Sequence, residues 1–263
     1  MGLLLKELRE LRFRSLVLSV LILATGYLVL AYYDLFRNIM DLAQIEEGLN
    51  TVPFLAKYLD KNQLQHQLTQ IFNDINLYVW SQWFGKNLYQ LILLSTIIIG
   101  FPLFARETEH DTNIFLLSHQ TRARVFFTKL MASAMALLTL TGIGCLLPVF
   151  MASYYGFDFS LQKGLAFWIC ILVSAWLLHA IVVFLSVVSR DTVIPIIVSV
   201  TIFVVLGIPG RVTGLEPINI YRYLAGADVF FSGSIPWLPM LVIMFISMVI
   251  TYFSWYCYNN RDF

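Results

Sequence analysis

Between two apolar runs, residues 106–129 gather Arg106, Glu107, Glu109, His110, Asp111, Arg122, Arg124 and Lys129, in a 263-residue chain of which only 13% is charged. Such side chains could move protons, hold a metal or make ion pairs, and their spacing decides which. His110 and His119, like His66 elsewhere, stand at no metal-ligand spacing from Cys145, Cys170 or Cys257. The chain carries no HExxH, no GxSxG elbow, no Gly-rich nucleotide loop and no aspartate-rich diphosphate motif. His179 is the one strongly ionisable group inside an apolar run, and it reads as a hydrogen-bonded packing residue. We therefore expect no catalytic residue, no metal and no cofactor held by this chain. What remains is contact chemistry. Glu107, Glu109 and Asp111 stand in front of an apolar tetrad, Ile114, Phe115, Leu116 and Leu117, and Arg122, Arg124 and Lys129 stand behind it. Acid at the front and base at the back suit helix dipoles, and an exposed apolar tetrad calls for a protein to cover it.

The elements that must position this segment are set by composition. The chain is 59% hydrophobic, well above an ordinary soluble domain. A window of about 20 residues, the length that crosses a bilayer core as a helix, finds apolar runs at 15–33, 88–105, 130–152, 165–188, 192–209 and 237–257. None contains Asp, Glu, Lys or Arg. Backbone groups in lipid must be paired internally, so these runs predict an all-α membrane protein with six transmembrane helices in one domain. Pro195 predicts a kink in the fifth.

The connecting pieces follow the same logic. Residues 3–14 place Leu4, Leu8 and Leu11 on one stripe, which predicts an amphipathic interfacial helix before the first span. Residues 34–87 carry helical stripes at Leu42, Ile45 and Leu49 and at Leu64, Leu68, Ile71, Phe72 and Ile75, which predict a helical external loop. Trp80, Trp83 and Tyr89 read as interface markers at its end. Residues 210–236 are apolar but broken by Gly and Pro, which predicts a partly buried or re-entrant external hairpin. Lys6, Arg9, Arg12, Arg14, Arg106, Arg122, Arg124, Lys129, Arg190 and Arg261 fall on one side of the membrane, and the opposite side is longer and holds fewer cations. By the positive-inside rule both termini are cytoplasmic. A net charge of +1 gives no reason to expect nucleic acid as a partner.

The segment 106–129 also resembles a known family. The order Arg106, Glu107, Glu109, Thr112, then Leu116 and Leu117, then Arg122 and Lys129, is similar to the cytoplasmic segment between the second and third spans of type-2 ABC exporter permeases. The amphipathic start, the six spans, the apolar hairpin before the last span and the Arg261, Asp262 ending agree with it. Two departures stand out: the Gly usual before the Thr is Asp111, and the stretch from Leu117 to Arg122 is one residue short and lacks a Pro.

The resemblance implies that Glu107, Glu109, Thr112, Ile114, Phe115, Leu116, Leu117 and Arg122 form a coupling helix that docks on a cytoplasmic ATP-binding subunit. ATP and Mg would be bound by that subunit, and a second permease copy, identical or related, would pair with this chain in the lipid bilayer of the plasma membrane. In that family the first and fifth spans contribute to the pairing. Ala132, Ser133, Ala134, Ala136, Gly142 and Gly144 in the third span would allow close helix contact. An alternative reading is a structural or sensory membrane subunit that binds an ATPase without transport. The uncharged interior, with Tyr27, Thr139 and Thr141, suits an amphipathic or lipid-like substrate better than a small ion.

Overall fold

The computed structural model describes residues 2–33, 74–211 and 218–261. The stripes expected at 42–49 and 64–72, and residues 212–217 of the hairpin, lie outside the described residues. Among those described the chain is helical throughout, with no strand. Six helices are long and apolar enough to cross a membrane.

The first is α1, Gly2–Ala31. The amphipathic stretch 3–14 is not a separate interfacial helix but the beginning of α1. No Gly or Pro interrupts the chain from Leu3 to Thr25, so the change from charged to apolar sequence carries no break in the backbone. Its stripe faces protein: Leu11 is buried, Leu4 and Leu8 pack on the core, and Glu7 is buried beneath them. At 1.5 Å per residue the helix is about 45 Å long, enough for a span and a charged extension.

The chain resumes with α2, Ile75–Tyr78, capped by Asp74, whose carboxylate accepts from Asn76 N–H. It runs through a π-helical stretch, Val79–Leu88, into α3, Tyr89–Gly100. Trp83 is not an interface marker: it is fully buried, and its Nε1 donates to the Gly144 carbonyl at 2.9 Å. Gly144 sits in α6, Arg122–Tyr155, four residues before Pro148. Proline has no N–H for the carbonyl one turn back, so the indole supplies the missing donor. Without a Cβ at Gly144, Leu88 of the neighbouring helix approaches closely.

Helices α7, Leu161–Val188, and α8, Val193–Leu206, follow. Pro195 lies in the first turn of α8, where backbone N–H groups have no intrahelical acceptor, so it costs the helix no hydrogen bond of its own. The hairpin contains α9, Ile220–Leu224, and α10, Ala227–Ser232, with Ile220, Tyr223, Leu224 and Val229 buried. Gly226 joins them at φ +62°, with the Phe167 ring where a side chain would stand. The last helix is α11, Trp237–Asn259.

Helix α7 is the centre of the bundle and packs against α3, α6, α8, α9 and α11, while α1 packs chiefly along α6. The inner helices bury about half of their most apolar windows. By contrast α1, α8 and α11 bury less than a quarter of theirs, leaving broad apolar faces for lipid or another chain.

Candidate functional site

Two short helices carry the charge-dense segment: α4, Ala105–Glu109, and α5, Thr112–His119. Between them His110 and Asp111 form a turn, and Asp111 has φ +53°, the one non-glycine residue with positive φ among those described. The left-handed conformation crowds a Cβ, and Asp is among the side chains that tolerate it best. The position where the resembling family uses Gly is therefore one where the backbone needs glycine-like freedom.

Each end of this helical pair is tied into the bundle. Residues 101–104 turn out of α3, and the N–H groups of Phe104 and Ala105 both donate to Ser186 Oγ of α7 at 3.1 Å. The same hydroxyl donates to the Phe101 carbonyl at 2.7 Å. One buried serine thus satisfies three backbone groups at the entry to α4.

One turn further on, Glu107 Oε1 lies 2.8 Å from Lys129 Nζ of α6, and Lys129 also lies 3.1 Å from Glu7 Oε2 of α1. Lys129 and Glu7 are almost wholly buried. A buried ammonium is costly unless paired, and two carboxylates compensate it here. Asn113, also buried, donates to Glu107 Oε2 at 3.1 Å and accepts from Thr108 N–H at 3.2 Å, the amide orientation that satisfies both of its ends. Glu109 points the other way. Its Oε2 accepts from the backbone N–H of Thr192 at 3.1 Å, beside Asp191, whose Oδ1 accepts from Val193 and Ile194 N–H at 3.0 and 2.8 Å. Two carboxylates therefore serve the positive end of α8.

The return into α6 is fixed by Thr121, whose side chain caps the helix by accepting from Arg124 N–H. Arg122 Nη1 donates to the carbonyls of Asn259 and Arg261 at 2.5 and 2.8 Å. Arg261 donates in turn to the carbonyls of Val187 and Ser189. Burial and the neighbouring Arg190 lower the pKa of the Arg261 guanidinium, but from so high a starting point that it stays charged. The end of α11 is thereby stapled to α6 and to the turn between α7 and α8. Under this layer Leu103, Phe104, Val125, Phe126, Val183, Val187 and Tyr258 form a second, smaller core. Phe104 sits 5.3 Å from Phe126 and 5.1 Å from Tyr258, centre to centre.

The residues singled out in the sequence are thus brought to one end of the bundle, with different environments. Glu107, Glu109 and Arg122 are engaged by the protein's own helices. Thr112 is exposed, and its hydroxyl donates to the Glu107 carbonyl at 3.3 Å. Leu116 and Leu117 are half-buried against the smaller core. Ile114 and Phe115 lie on α5, and their side chains lie outside the described residues. Residues that the sequence did not point to are Glu7, Asn113 and Ser186. A lysine on the threshold of an apolar run, as Lys129 is, was the one signal that a buried carboxylate must be near.

His179 fits its expected packing role, with Nε2 2.9 Å from Ser133 Oγ. Among the described residues no three His, Cys, Asp or Glu side chains come together as a metal-holding group. The segment is a pair of short helices at one end of the bundle, held by charge and hydrogen bonds to α1, α6, α7 and α8.

Compared with families of known proteins, the chain matches the model described as ABC-2 family transporter protein over residues 1–259. No curated protein and no solved structure matches it.

Proposed function

The chain belongs to the ABC-2 family transporter proteins, and from that premise we propose that it is the permease subunit of an ATP-driven exporter, moved by hydrolysis in a separate ATP-binding subunit. It is a multi-pass membrane subunit of a transporter. In the proposed assembly both termini and the pair α4 and α5 face the cytoplasm, the membrane is the plasma membrane, and ATP and Mg sit in the partner subunit. A second permease copy covers part of the apolar surface of α1 and α8.

One observation carries the reading. The helical pair at 105–119 is connected to α1 and α6 through Lys129, to α7 through Ser186 and to α8 through Glu109. A displacement of α5 by a partner outside the membrane would be passed to four spans at once, by contacts with discrete arrangements. Glu107 and Glu109 act in this scheme as links to the spans, and the contact with the partner falls to α5 and the exposed turn at His110 and Asp111.

Site-specific photocrosslinking tests this. A photoreactive residue at His110 in native membranes should capture an ATP-binding subunit, and one at exposed Lys163, at the opposite end of the bundle, should not. Capture from Lys163, or none from His110, counts against the coupling reading. ATP-dependent movement of an amphipathic substrate in vesicles holding both subunits then separates an exporter from a structural or sensory subunit.

A further inference from the structure

A cavity of about 230 Å³ opens between the charged part of α1 and the entry to α4. Its walls include four cations and three carboxylates, and most of that charge is spent internally. Lys129 is taken by Glu7 and Glu107, and Lys6 lies 3.6 Å from Glu10. Arg14 and Arg106 are left. Neither guanidinium has an ion-pair partner within 4 Å among the described residues; the two are close enough to repel one another, and Glu10 offsets part of that repulsion at Arg14. Arg14 is half-buried, with its guanidinium carbon 5.6 Å from the centre of the Phe101 ring, so it is held in place and not free to swing into water. Two like charges converging on one hollow raise the energy of the empty protein and lower that of an anion-bound one.

The position of Arg14 narrows the anion. It is the last charged residue of α1 before the apolar run, so it stands at the level where lipid headgroups meet hydrocarbon. Val17 and Leu21, three and seven residues on, lie on the same face of the helix and are both exposed. A cationic hollow with an apolar stripe rising from it matches a phosphate joined to acyl chains.

We propose that Arg14 and Arg106 form a binding site for a phosphate-bearing anion, presented by the headgroup of an anionic phospholipid whose acyl chains lie along Val17 and Leu21. The guanidinium fork suits phosphate oxygens, and a lipid held there rests against both α1 and the start of α4.

Lipid retention by the purified chain tests the site. In detergent, native mass spectrometry with phosphatidylglycerol and phosphatidylcholine of identical acyl chains should show the anionic lipid retained about 30-fold more strongly, the scale expected when two cations meet one headgroup. That preference should vanish in R14Q/R106Q and persist in R9Q/R12Q, which removes the same charge from exposed positions of the same helix. Should the double variant elute as aggregate, R106Q alone, at an exposed residue, carries the comparison. A second arm titrates inorganic phosphate against the protein in neutral lipid. A thermal shift there that needs Arg14 and Arg106, without any lipid preference, assigns the phosphate site to a soluble ligand and overturns the lipid occupant. Equal retention of both lipids with no phosphate shift, or equal loss in the Arg9 and Arg12 control, overturns the site altogether. The lipid measurement needs neither ATP nor a partner, so its outcome is separable from that of the transport reading.

Discussion

Glu109 Oε2 accepts the backbone N–H of Thr192 at 3.1 Å, so a carboxylate from the segment between the second and third spans sits on the N-terminus of the fifth. Helix α8 has 14 residues, about 21 Å, is lengthened into an 18-residue span by the 3-10 turn Ile208–Arg211, and is only lightly buried, so its ends have much to do with where it sits. Glu109 is exposed, and a contact of this kind is worth about 0.3–1 kcal/mol. That is weak enough to be broken and remade in a cycle. Asp191 caps the same end of α8 through the N–H groups of Val193 and Ile194, so the cap does not rest on Glu109 alone.

Glu109→Ala, which removes the acceptor, should therefore leave thermal stability within about 1 kcal/mol of the parent. If the contact transmits motion, the same variant lowers substrate-stimulated ATP hydrolysis by the assembled transporter several-fold. A stable variant with unchanged stimulation would show that Glu109 is a cap and nothing more.

The ion cluster predicts an asymmetry. Lys129→Met removes the cation that Glu7 and Glu107 share and should cost about 3–5 kcal/mol, because two buried or half-buried carboxylates are left facing each other. Glu7→Gln leaves a balanced pair, Lys129 with Glu107, and should cost no more than about 1 kcal/mol. Thermal unfolding in detergent ranks the two. If Glu7→Gln proves as damaging as Lys129→Met, the cluster is not governed by charge balance.

Ser186→Ala strips the entry to α4 of its acceptor and leaves the N–H groups of Phe104 and Ala105 in a buried setting. The expected loss is about 1–3 kcal/mol. Hydrogen exchange should rise at Phe104 and Ala105 before it rises elsewhere, and uniform protection would argue that another acceptor takes over.

At Asp111 the backbone sets the ranking. With φ at +53°, Asp111→Val should lose about 1–2 kcal/mol, whereas Asp111→Gly should be tolerated or stabilising. Melting curves that place the valine variant level with glycine would mean that the turn relaxes out of the left-handed region.

The large divisions of this fold are legible in the sequence because they depend on hydropathy summed over 20 residues, and so is the acidic, apolar, basic order of 106–129. The ties that hold that segment to the bundle are not. Glu7 and Lys129 are 122 positions apart, and a glutamate on an amphipathic helix reads the same whether it faces water or a buried lysine. Ser186 lies inside an apolar run, where a lone serine normally bonds its own helix, as Ser174 does to the Cys170 carbonyl. The continuity of the N-terminal helix is hidden in the sequence for a related reason. A composition change at residue 14 suggests two environments, but only a Gly, a Pro or a lost hydrogen bond breaks a helix.

Trp83 and Pro148 give the sharpest test of the packing. The Gly144 carbonyl lacks a donor one turn on because Pro148 has no N–H, and the buried indole fills that role at 2.9 Å. Trp83→Phe should cost about 2–4 kcal/mol, from the unpaired carbonyl together with the smaller ring. Pro148→Ala restores an N–H to α6, so in that background the carbonyl part of the penalty disappears while the packing part remains. The two substitutions should therefore couple by about 1 kcal/mol or more in a double-mutant cycle, with the double variant more stable than the sum of the singles predicts. Strict additivity in thermal unfolding would mean that the indole and the proline, although joined through one carbonyl, do not share a hydrogen-bonding role.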